Sequence, residues 1–74
     1  MAQLDVRPDL REGREPFGKI MAAVHALAPG EALELLVPFE PMPLYRVLEQ
    51  RGFDHAATED GAGSWRVVFT PVSD

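Results

Sequence analysis

The chain has 74 residues, 46% of them apolar and 26% charged, with twelve acidic against seven basic side chains and a net charge of −5. That length makes a single domain, residues 1–74, with room for one sheet and two helices, and it buries only about 60% of the unfolded chain's surface. The absence of cysteine excludes disulfides, thiolate nucleophiles, persulfide carriage and cysteine metal sites, while the acidic balance opposes docking on nucleic acid or an anionic membrane.

Met1-Ala2-Gln3-Leu4-Asp5 lacks the charged and apolar regions of a signal peptide, and no apolar run approaches the ~20 residues that span a bilayer. A soluble cytoplasmic protein is expected. Leu4-Asp5-Val6-Arg7 alternates apolar and polar up to Pro8 and predicts a first strand with Leu4 and Val6 inward, followed by a loop from Pro8 to Gly13. Glu15-Pro16 then opens a helix, with proline at the first helical position. Phe17, Ile20, Met21, Val24, Leu27 and Ala28 form its apolar stripe, and Pro29-Gly30 ends it.

Glu31 to Val37 predicts a central second strand with Leu33, Leu35 and Val37 on one face, paired in parallel with the first because a helical crossover separates them. Three prolines in Pro38-Phe39-Glu40-Pro41-Met42-Pro43 make a stiff corner that displays Phe39 and Met42 until Pro43 opens a second helix. Leu44, Val47, Leu48 and Arg51 mark that helix, and Gly52 closes it. Phe53 to Thr58 and Ser64 to Thr70 flank Asp60-Gly61 as a hairpin, with Trp65, Val67 and Phe69 on one face and a frayed tail beyond Thr70. The order is βαβαββ. The predicted fold class is α+β, a two-layer sandwich in which both helices cover one face of a four-stranded mixed sheet.

Leu4-Asp5-x-Arg7, the Glu15-Pro16 helix start, Pro29-Gly30-Glu31-x-Leu33 and the final hairpin resemble the TusA/SirA-like sulfur-carrier superfamily over nearly the whole chain. Pro16-Phe17, Pro29-Gly30-Glu31, Pro38-Phe39-Glu40-Pro41, Pro43-Leu44-Tyr45 and Gly52-Phe53 are similar to an uncharacterised bacterial branch of it, a domain family of unknown function. The carriers use Cys-Pro-x-Pro at the start of the first helix. Matching its end to Glu15-Pro16 puts Gly13 where the cysteine stands and Arg14 where the first proline stands. The resemblance therefore implies the fold and removes sulfur transfer. It also implies an accessory role, because the branch occurs fused to hemerythrin-like iron domains or near nitrogen-oxide metabolism.

Two candidate surfaces follow. Arg7, Arg11 and Arg14, with Lys19, flank the start of the first helix, where free amides favour a small anion, although Asp9, Glu12 and Glu15 are interspersed. Phe39, Met42 and Tyr45 on the proline corner offer an aromatic and methionine contact surface, and the fold implied by the resemblance brings both loops to one edge; sealing the end of the core is the competing account. His25 and His55, the only histidines, lie apart on a polar helix side and a strand, so no metal site is assigned, and Ser64 and Ser73 lack a nucleophile context. The open sheet face, with Leu36, Val68 and Ala56, allows either a monomer or a weak homodimer. The expected function is a non-catalytic protein-interaction or small-ligand-binding accessory module, with no cofactor, whose unknown partner is a protein or a small anion. The alternative is a metal- or haem-dependent redox accessory protein.

Overall fold

The structure, a computed structural model, describes residues 1–72. Its elements run β1 (Ala2–Asp5), α1 (Arg7–Arg11), α2 (Phe17–His25), β2 (Leu33–Val37), α3 (Met42–Gln50), β3 (Phe53–Glu59) and β4 (Trp65–Pro71). The sheet order is β1-β2-β4-β3, with β1 parallel to β2 and the other neighbours antiparallel. The α+β fold, the mixed four-stranded sheet and the central β2 are as the periodicity predicts.

Several boundaries differ, the main ones for local reasons. The first strand ends at Asp5, not Arg7, because the Asp5 carboxylate accepts the Arg7 backbone N–H at 3.0 Å and turns the chain. The expected Pro8 to Gly13 loop instead begins as α1, a single helical turn with Pro8 in its first turn, Asp9 beside it and Leu10 packed on the core. Five residues are too few to show periodicity. The stripe of the next helix stops at His25, since Ala28 precedes Pro29 and is pushed out of helical geometry. At the other end of the chain, the strand that was expected to stop at Thr70 reaches Pro71, and the Val72 N–H donates to the Gly52 carbonyl at 2.8 Å. Residues 73 and 74 of the expected tail, Ser73 among them, lie outside the described residues.

One face of the sheet carries the core. Leu33, Leu35, Val37, Val67 and Phe69 meet Ile20, Met21 and Val24 of α2 and Leu44 and Leu48 of α3, with Val6 closing the end. Leu48 and Phe69 have no exposed surface, so truncating either to alanine removes about 2–5 kcal/mol. That is a large share of the roughly 5–15 kcal/mol that holds a domain folded. The opposite face lacks a helix and is mostly polar: Gln3 donates to Glu34, Arg66 pairs with Glu34 at 3.2 Å, and Leu36 and Val68 between them are half-buried. Among the described residues no helix is long and apolar enough to cross a membrane.

The β3–β4 register also settles which way the backbone of β3 points. Asp60 N–H bonds to Ser64 O at 3.0 Å and Val72 N–H to Gly52 O at 2.8 Å, and these two bonds bracket the ladder. Antiparallel pairs alternate between bonded and non-bonded, so Asp54, Ala56 and Thr58 bond to Thr70, Val68 and Arg66. The N–H and C=O of Phe53, His55, Ala57 and Glu59 then point away from the sheet. Native-state hydrogen exchange checks this: the amides of Asp54, Ala56 and Thr58 should exchange at least about tenfold more slowly than those of His55 and Ala57. Equal protection along the strand would refute the alternation.

Candidate functional site

Parallel pairing makes β1 and β2 leave the sheet at the same edge, so the segments after them become neighbours. After β1 come α1, a turn and the start of α2; after β2 comes the proline corner and α3. Between them lies a groove of about 290 Å³. Leu10, Glu15, Pro16, Phe17 and Ile20 line one side, and Val37, Phe39, Pro41, Pro43, Leu44 and Val47 the other. Glu15 is the only ionisable residue among them. Phe17 and Phe39 keep 44% and 49% of their surface exposed at the rim, while Pro16 and Pro41 are buried beneath.

The two halves of the edge expected from sequence are thus brought together, but their members divide. Phe39 lines the groove. Met42 is 63% exposed and lies outside its lining, and Tyr45 turns the other way. The Tyr45 ring stacks on His55 of β3 at 3.7 Å between centroids and 8° between planes, tilts against Phe69, and donates its hydroxyl proton to Glu40 Oε2 at 3.1 Å. Leu10, Ile20 and Val47 are groove residues that sequence reasoning assigned only to core, loop or stripe. Their pairwise spacing along the chain is far too long to betray a shared surface.

The basic residues do not converge on the groove. Arg7 grips Asp5 through Nε to Oδ1 at 2.9 Å and Nη2 to Oδ2 at 2.8 Å, and reaches Ser64 Oγ at 3.4 Å, which ties the end of β1 to the hairpin. That bidentate bond holds the Asp5 carboxyl at about 2, below its ordinary 3.8, against the opposing effect of burial. Arg14 pairs with Glu12 at 3.1 Å and Lys19 with Asp9 at 3.3 Å. Arg11 is exposed and enters no ion pair among the described residues.

Some of the first amides of the helices at this edge are bonded from within the chain. Glu15 Oε1 accepts the Phe17 N–H at 2.8 Å, which places the chain's own carboxylate at the positive end of α2. At α3 the Met42 N–H bonds to Glu40 O at 2.9 Å, Pro43 has none, and the Leu44 N–H bonds to Pro41 O at 3.0 Å. Gly13 ends α1 in the left-handed region, φ +76°, with its N–H on Leu10 O and the Arg14 N–H on Asp9 O at 2.8 Å. His25 Nε2 lies 3.2 Å from Arg51 Nη1, and among the described residues no group of three or more His, Cys, Asp or Glu side chains is placed to hold a metal.

Fold and site together define a small α+β sandwich with an apolar cleft at the edge where its parallel strands end. The chain belongs to the family of uncharacterised conserved proteins DUF2249, which it matches over residues 3–71. Comparisons with curated proteins and with solved structures gave no match.

Partial burial pushes the Tyr45 phenol up to about 12, with the hydrogen bond and charge of Glu40 adding to it. Tyr45 is the only tyrosine, so phenolate absorbance should titrate as one site near 12 in the folded protein. Glu40→Gln should bring that midpoint down. The folded pKa is the higher one, so the stabilisation is complete below about 10 and is lost as pH rises from there through about 12. A midpoint at the ordinary value would mean that the ring is solvated.

Proposed function

We propose that the chain is a non-catalytic accessory module that binds a protein partner by seating one large apolar side chain of that partner in the groove. The observation that carries this is the lining: apart from Glu15 it is wholly apolar, and two phenylalanines stand half-exposed at its rim. Exposed aromatic surface around a preformed cleft is the pattern of a protein hot spot. The volume, about 290 Å³, is at the small end of sites that enclose whole small molecules, about 300–1,000 Å³. A small anion is less well supported, because the amide of Phe17 and the guanidinium groups of Arg7 and Arg14 already have carboxylate partners.

We take the module to be cytoplasmic and, as the sequence resemblance implies, bacterial and TusA-like in architecture, acting beside redox or nitrogen-oxide chemistry. Gly13 supports the loss of sulfur carriage. At φ +76° any residue with a Cβ is strained, so a thiol at this point of the chain would sit on an unfavourable backbone.

The groove is tested by titrating isotope-labelled protein with N-acetyl-leucinamide and N-acetyl-tryptophanamide. Shift changes should gather on Leu10, Ile20, Phe39 and Val47, and Phe39→Ala should weaken binding about fivefold or more. Because Phe39 is half-exposed, the same substitution should cost no more than about 0.5 kcal/mol of stability. A loss of several kcal/mol with binding unchanged would make Phe39 a core plug and defeat the proposal.

A further inference from the structure

We propose a second interaction surface, independent of the groove: the outer edge of β3 accepts an extended segment of a partner protein as a fifth strand, and that segment carries a cationic residue at each end. The backbone dictates the first half of this statement. β3 is an edge strand of seven residues, Phe53–Glu59, in unbroken register with β4. The alternation established by its two bracketing bonds leaves the N–H and C=O groups of His55 and Ala57 at its centre, with Phe53 and Glu59 outside them, facing away from the sheet. Such a row of unpaired donors and acceptors is complementary to one thing, another extended backbone.

Edge strands are commonly protected by brevity, proline, lysine or a bulge. The opposite edge, β1, has four residues and is protected by brevity. β3 has no proline, lysine or bulge, its acidic side chains are Asp54 and Glu59 near the two ends, and Asp54, His55, Ala56, Thr58 and Glu59 are all exposed. α3 packs over one face of β3, and its Tyr45 ring lies flat on His55, so the strand is held extended from one side while its edge stays open.

Charge selects the occupant. The two carboxylates of β3 stand near its ends, Asp54 at one and Glu59 at the other, and the strand carries no lysine or arginine. A segment with a basic residue at each end satisfies both. A second copy would bring the same acidic strand, on a chain of net charge −5, against itself.

The test uses the full chain and a short blocked peptide of valine and threonine with lysine at both ends. Binding should shift the amides of Phe53–Glu59 and slow hydrogen exchange at His55 and Ala57, the amides that are otherwise unprotected. N-methylation of the peptide along its bonding edge, or Ala57→Pro in the protein, should each weaken binding by roughly tenfold or more. Ala57→Pro removes an outward N–H and no β4 bond; should it nonetheless unfold the protein, the N-methylated peptide carries the same comparison. Replacing the peptide's lysines by glutamate should abolish binding at low salt. The proposal is overturned if N-methylation has no effect, if the glutamate peptide binds as well, or if the shifts fall in the groove. It is also overturned if His55 and Ala57 become protected on concentrating the protein alone, which would show that a second copy takes the edge.

Discussion

The parallel pairing of β1 with β2 is the constraint on which the rest depends. Two parallel neighbours need a crossover, and here that crossover is α1, a turn closed by Gly13, and α2. Because both strands run the same way, the chain leaves each of them at the same edge. The start of α2 and the proline corner are therefore side by side although more than twenty residues separate Pro16 from Phe39. Burial fixes the pairing: Leu33, Leu35 and Val37 of β2 are almost wholly inaccessible, and a slip of one residue would put Glu34 and Leu36 into the core instead.

The prolines determine what kind of edge this is. Pro38, Pro41 and Pro43 reduce the conformations open to the unfolded corner, so its folded shape costs less entropy to hold. They also remove backbone donors where a helix start would otherwise present them. What would have been a polar rim, suited to an anion, is left with carbon: Pro16, Phe17, Phe39, Pro41 and Pro43. Glu15 completes the effect by bonding the Phe17 amide.

Much of this was legible in the sequence, for definite reasons. Alternation identified β2 and β4, the crossover rule gave the parallel pair, and Asp60-Gly61 announced the hairpin; each signal is local and repeated. α1 was missed because one helical turn has no period to read, although Pro8 and Asp9 were in place to start it. The composite edge was anticipated, but its membership was not. Tyr45 and Met42 sit beside Leu44 in sequence, and on a helix successive residues point about 100° apart, so neighbours along the corner diverge to β3, to solvent and to the groove. Conversely Ile20 and Val47 belong to two different stripes whose outer margins meet only in three dimensions.

That same divergence lets α3 line the groove on one side and pack over a face of β3 on the other. Pro43, Leu44 and Val47 face the groove, while Tyr45 faces His55 of β3 and its hydroxyl returns to Glu40 in the corner. The contacts form a continuous chain: corner, Glu40, Tyr45, His55, outer backbone of β3. A stack at 3.7 Å and a hydrogen bond at 3.1 Å fix the Tyr45 ring from both ends, which favours one arrangement over two. Held at both ends, Tyr45 supports β3 from α3, and a wall ordered in this way costs less entropy to engage than one that must be ordered on binding.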